Sequence, residues 1–229
     1  MIADDIAAAR VNWLPAYRII PTRFPSINLF DRVATAEDFD ALYALEALTN
    51  DRIRDEIGLL SLVPAGERLF GPGSGPIMAA LTHPNPAGSR FSDGSFGVFY
   101  CAKDRDTAIT ETRHHSSNFL ASTQEPAIRL QMRLYTVDVA GDFADLRSPA
   151  YRDGGLFHPS DYRQAQALGG KLRETGRAGV VYPSARHAGG ECVAGFRTGP
   201  FSRCVHAAHL EYNWDGRVIN AVFNVSQIQ

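Results

Sequence analysis

Apolar and polar positions change period several times along the chain, and the changes mark out its elements. Phe96 to Ala102 is apolar at nearly every position and short, the pattern of a strand buried on both faces. A helix is predicted from Thr107 to Leu120, capped by Asp104 or Asp106. Arg129 to Val139 alternates, with Leu130, Met132, Leu134 and Val137 on one side, as a half-buried strand does. Further strands are predicted over Ala178–Tyr182, Cys192–Phe196, Arg203–Tyr212 and Arg217–Val225, with Asp215-Gly216 as the hairpin turn of the last two. Ser160 is placed to cap a helix over Asp161–Glu174, with Tyr162, Ala165, Leu168 and Leu172 inward and Gly176 at its end. Residues 141–159 read as loop.

The first third is different. Ile2 to Val11 has the pattern of a short helix, after which Pro15, Pro21 and Pro25 dictate an irregular, partly extended path. A helix is predicted over 36–57, with Thr35 as cap, Asp38 three residues on, and a stripe of Phe39, Ala41, Leu42, Leu45 and Leu48. Residues 64–88 are rich in Gly and Pro and form a long loop with a short helix at Ile77–Leu81. Loops this long are uncommon in compact domains unless they carry a function such as a lid. There is no internal repeat and no linker. The expected organisation is one α+β domain over residues 1–229, with 1–88 an extension packed on the core.

Composition narrows the chemistry. Of 229 residues 45% are apolar, enough for a substantial core. The 23 basic and 25 acidic residues leave a net charge of −2, which argues against general nucleic-acid binding. A small anion remains compatible, since one or two local arginines suffice. The three cysteines, Cys101, Cys192 and Cys204, form no CxxC pair, and reduced thiols in a cytoplasmic protein are expected. The start is not that of a signal peptide. No run reaches the ~18 apolar residues of a membrane span, so no membrane partner is expected.

Three residues between Ser89 and His114 offer chemistry that strand and helix do not need: Arg90, Tyr100 and Glu111. Taken singly, each has an ordinary role, as loop charge, packed aromatic and helix carboxylate near the positive end of the dipole. Further on, Tyr182-Pro183-Ser184-Ala185-Arg186 leaves a buried strand. Ser184 is not in a G-x-S-x-G elbow, so ligand positioning suits it better than nucleophilic attack. Metal chemistry is not expected. His114 and His115 point about 100° apart on a helix, and His206 and His209, three apart on a strand, are expected on opposite faces.

Three segments, S-R-F-S-D-G-x-x-G-V-F-Y-x-A-x-x-x-x-T-A-I-x-E-T, then D-Y-x-x-x-Q-x-L-G-x-x-L-R, then G-V-V-Y-P-S-A-R, together resemble the RES domain. That family is named for Arg, Glu and Ser, which match Arg90, Glu111 and Ser184. RFPSINLFDRV and the stretch from Leu45 to Arg68 resemble its longer members, so the likeness spans about residues 17 to 200. Short members carry Trp and Asn after the Arg, where this chain has Phe91 and Ser92.

The resemblance implies an ADP-ribosyltransferase-like split antiparallel β core with surrounding helices. It also implies a toxin of a toxin–antitoxin pair that cleaves NAD at the nicotinamide–ribose bond by phosphorolysis or hydrolysis. NAD is then substrate, inorganic phosphate a co-substrate, and no metal is required. Transfer of ADP-ribose to a protein acceptor is the alternative, and a non-catalytic partner-binding module a third reading. The implied partner is a cognate Xre-type antitoxin covering the active site. Arg90, Tyr100, Glu111 and Ser184 are the catalytic candidates, and Arg18 and Arg186 join Arg90, Tyr100 and Ser184 as substrate-binding candidates.

Overall fold

The computed structural model describes residues 5–24, 29–33, 35–38, 57–152 and 155–226. Among the described residues seven strands form one sheet: β1 (Ala8–Pro21), β2 (Phe99–Ala102), β3 (Ile128–Asp145), β4 (Gly179–Pro183), β5 (Glu191–Gly195), β6 (Phe201–Trp214) and β7 (Ile219–Val225). Four α-helices accompany them among the described residues: α1 (Leu29–Arg32), α2 (Gly75–Thr82), α3 (Arg105–Ser122) and α4 (Arg163–Glu174).

The sheet has two parts. In the long part β1 and β6 flank β3, and β7 pairs with β6, all antiparallel. In the short part β5 lies between β2 and β4, again antiparallel. The parts meet at two narrow seams. One is the antiparallel pair Tyr17↔Ala102 between β1 and β2, and the other is the parallel pairing of Ala144 and Asp145 with Val180 and Val181. Among the described residues no other pairing joins the two parts, in keeping with the expected α+β split core.

Strand alternation sorts the side chains onto two faces. Tyr100, Ala102, Val180, Tyr182, Cys192 and Ala194 pack on one face. Phe99, Cys101, Val181 and Val193 join Val137, Val139, Phe143 and Phe201 on the other. The all-apolar run of β2 thus reflects burial on both sides. Each α-helix contributes to one face only: Ala108 and Leu120 of α3 and Ala165, Leu168 and Leu172 of α4 to the first, Ile77, Met78 and Leu81 of α2 to the second.

Several expectations are corrected. Residues 8–11 are strand, not helix: β1 alternates Val11, Trp13 and Ala16 inward and is paired with β3 along its length, so tertiary pairing overrides local helix propensity. Pro15 lies where its register shifts, between Trp13 and Ala16, but does not end it, and the strand runs on to Pro21. β3 continues to Asp145, beyond the predicted Val139, because β1 still pairs with it there. Ser160 does not cap α4. The Nδ1 of His158 accepts from the Ser160 and Asp161 amides, and the helix starts after Tyr162. The predicted helix over 36–57 lies largely outside the described residues, although the Asp38 amide donates to Thr35 Oγ1 at 3.1 Å as foreseen. The short helix in the Gly/Pro loop is α2, whose first amide donates to Asp31 of α1 at 2.7 Å. The Asp215-Gly216 turn forms as predicted, with Asp215 Oδ1 accepting from the Arg217 and Val218 amides.

Candidate active site

A cavity of about 390 Å³ opens where β1 and β2 part. Tyr17, Arg18 and Ile19 of β1 line one side, and Tyr100, Cys101 and Ala102 of β2 the other. Glu111, Thr112 and His115 come from α3, Arg90 from the loop before β2, and Tyr162 from the start of α4. Four of the six expected site residues are therefore brought together: Arg18, Arg90, Tyr100 and Glu111. Ser184 and Arg186 are not in the lining, although Ser184 reaches Glu111 from outside it.

Arg90 is 8% exposed and sits in a tight turn closed by the Ser89 amide on the Ser92 carbonyl. Its Nη1 donates to the carbonyls of Leu156 and His158, each at 3.2 Å, and its guanidinium lies 4.6 Å from the centre of the Tyr162 ring. The turn is packed tightly from below: a Cβ on Gly169 of α4 would come within 2.1 Å of the Phe91 carbonyl oxygen, so only glycine lets helix and turn approach. Tyr100 holds the same turn from inside the cavity. Its hydroxyl meets Ser89 Oγ at 2.8 Å and accepts from the Phe91 amide at 3.1 Å, one neighbour on each side of Arg90. Burial pushes the Tyr100 phenol up to about 12, against those two hydrogen bonds, so it stays protonated.

Arg18 occupies the split itself. Alternation turns it away from Tyr17 and Ile19, its guanidinium lies 4.6 Å from the centre of the Phe99 ring, and Nη1 donates to the Tyr100 carbonyl at 2.8 Å. Its Nε is buried without a hydrogen-bond partner. Burial lowers its pKa from the usual arginine value, opposed by surrounding thiols and phenols. Among the described residues, neither Arg18 nor Arg90 has a carboxylate in ion-pair distance. Buried cations without a counter-charge are costly unless a ligand supplies it.

Glu111 lies two turns into α3, which begins after the Asp104 cap, so the dipole at the helix start acts on Asp106 more than on Glu111. Its environment comes instead from side chains. Ser184 Oγ donates to Oε1 at 2.6 Å, and His115 Nε2, one turn on, stands 3.8 Å from Oε2. Burial lowers the His115 pKa, against the attraction of Glu111, so this imidazole is neutral at pH 7. Arg186 donates through Nη2 to the Pro159 carbonyl at 2.7 Å and has a buried Nε without a partner.

Sequence reasoning missed His115, Tyr17 and Tyr162 as cavity residues. The i, i+4 relation of Glu111 and His115 on a predicted helix was the available signal for the first. Tyr17 and Tyr162 gave none, because β1 was read as irregular and Tyr162 as core. The two strand histidines are also corrected. His206 pairs with Tyr135 and Ala208 with Leu134, a bulge that skips Ala207 and brings the His206 and His209 rings within 4.4 Å on one side. Among the described residues, no three His, Cys, Asp or Glu side chains are grouped to hold a metal.

The RES domain family profile matches residues 67–215. An uncharacterised protein of Sinorhizobium fredii (strain NBRC 101917 / NGR234), y4oC, is 32% identical over 211 residues, 90% of this chain and 86% of its own. The crystal structure of the M. tuberculosis MbcT–MbcA toxin–antitoxin complex holds a chain that superposes with a TM-score of 0.49 at 16% identity, over 93% of this chain and 90% of that one.

Proposed function

Because the chain belongs to the RES-domain family, we propose that it cleaves NAD at the nicotinamide–ribose bond, by phosphorolysis or hydrolysis, as the toxin of a toxin–antitoxin pair. The observation that carries this reading is the charge arrangement of the cavity. Among the described residues Arg90, without a carboxylate partner, faces the same space as one carboxylate, Glu111, and Arg18, likewise without one, borders that space from the split. NAD offers the complement: an anionic pyrophosphate and a ribose that turns cationic as its bond to nicotinamide breaks.

The leaving nicotinamide departs neutral, taking the bonding electron pair onto its ring nitrogen, so no general acid is needed. The ribose becomes oxocarbenium-like, and Glu111 stabilises it by charge and by a hydrogen bond from a ribose hydroxyl. Arg90 binds pyrophosphate oxygens, or an incoming inorganic phosphate, through guanidinium N–H groups not engaged with carbonyls, while Arg18 adds positive potential from the split. The Tyr100 ring supplies an apolar wall for the pyridinium while its hydroxyl keeps Arg90 in place. Ser184 orients Glu111, and Arg186 adds positive potential beside it. A water or a phosphate oxygen then attacks the anomeric carbon. An Xre-type antitoxin covering the cavity mouth would silence the reaction.

The purified protein incubated with NAD, with and without phosphate, tests this. Nicotinamide release is expected, phosphate-dependent for the phosphorylase and phosphate-independent for the hydrolase. Glu111→Gln is expected to slow release by about 100-fold or more. No release by the parent in either buffer overturns the reading, and label retained on a second protein converts it to ADP-ribosyl transfer.

A further inference from the structure

Ser184 is held by more than its own loop. Its Oγ accepts from the Arg186 amide at 3.1 Å and the His187 amide at 2.9 Å. With both lone pairs engaged, its single proton goes to Glu111 Oε1 at 2.6 Å. The direction of that hydrogen bond therefore depends on where the turn places the His187 backbone.

The His187 side chain reaches across to α3. Its Nδ1 stands 2.7 Å from Thr107 Oγ1, and Thr107 is fully buried. The Thr107 hydroxyl donates to Asp104 Oδ2 at 2.7 Å, while its amide donates to Oδ1 at 2.7 Å. Asp104 is held below the usual carboxylate range: burial opposes the charge, but the Thr107 hydrogen bonds and nearby His187 outweigh it. An ionised Asp104 can only accept, so the Thr107 proton is committed to it, and the oxygen has a lone pair left for His187 Nδ1–H. The turn is also pressed onto Thr107 at Gly190, where a Cβ would lie 2.4 Å from Thr107 Oγ1. Thr107 and Glu111 are one helical turn apart on α3, so anchor and carboxylate share a helix face.

We propose that Thr107 and His187 are positioning residues. Through Asp104–Thr107–His187 they fix the Ser184 turn on α3, so that the Ser184 hydroxyl points its proton at Glu111. The proposal rests on the NAD-cleavage reading for its kinetic consequence, but the anchor itself is readable without substrate.

Two measurements test it. Nitrogen NMR of His187 in the parent is expected to show a proton on Nδ1, and in Thr107→Val its loss from that nitrogen. Kinetically, T107V is expected to lower kcat for nicotinamide release about tenfold with KM little changed, as one misdirected hydrogen bond would. Thr107→Ser, which keeps the hydroxyl, recovers most of that loss. Should T107V not fold, His187→Ala against His187→Asn makes the same comparison, because the Asn amide can donate from the Nδ1 position.

A parent with no proton on Nδ1 overturns the anchor. A folded T107V that turns over as fast as the parent overturns the positioning role, with NAD cleavage intact. A parent that releases no nicotinamide but shows the Nδ1 proton, lost in T107V, fails the NAD reading and leaves the anchor standing.

Discussion

Tyr100 illustrates how, under the proposed function, a residue can serve chemistry without performing it. Its ring faces the cavity, yet its hydroxyl is spent on Ser89 and Phe91, the two neighbours of Arg90. Tyr100→Phe keeps the ring and removes the brace. The expected result is about a tenfold fall in kcat/KM for NAD, expressed mainly in KM, measured at steady state with thermal stability checked beside it. The sequence made Arg90, Tyr100 and Glu111 suspects by type, and the order of motifs tied Ser184 to them. It could not reveal that the Tyr hydroxyl is saturated, or that Ser184 donates to Glu111, because those depend on contacts across 11 and 73 residues. Arg18 was harder still. Only a paired strand gives its side chain a defined direction, and a segment with three prolines does not announce one.

At the level of elements, the seam between the two parts of the sheet has its own fastening. Asp145, at the end of β3, accepts from Arg147 through both carboxylate oxygens, and Arg147 Nη1 donates to Glu191 of β5 at 2.7 Å. Lys103, following β2, donates to the other Glu191 oxygen at 2.7 Å. The hydrogen bonds from Arg147 lower the Asp145 pKa, burial opposing them. A depressed carboxylate pKa contributes stability that is complete above its unfolded value, about 4, and is lost as pH falls through the lower folded value. Arg147→Met is therefore expected to cost about 1 kcal/mol at pH 7, the modest figure suiting side chains roughly one-third exposed. That difference from the parent shrinks below about pH 4, which urea unfolding at the two pH values would measure. The strands β2, β4 and β5 and the helices α3 and α4 were legible because periodicity reports burial directly. The start of β1 was not, since what makes it a strand is β3, more than a hundred residues away in sequence.

For the whole molecule, the decisive feature is that the sheet's two parts touch along so little of their length. Tyr17↔Ala102 joins β1 to β2, and the cavity begins beside that pair with Arg18 of one part and Tyr100 of the other in its walls. A molecule lodged there bridges both parts and works as a rivet, adding a third fastening to the two seams. Its binding free energy is then available to resist their separation. On the proposed reading Glu111→Gln keeps NAD intact long enough to measure, and it is expected to melt at a higher temperature as NAD is added. At a concentration 100 times the dissociation constant the gain is about 2.7 kcal/mol. If hydrogen exchange slows on both β1 and β2 under those conditions, the proposed substrate is also one of the protein's structural members.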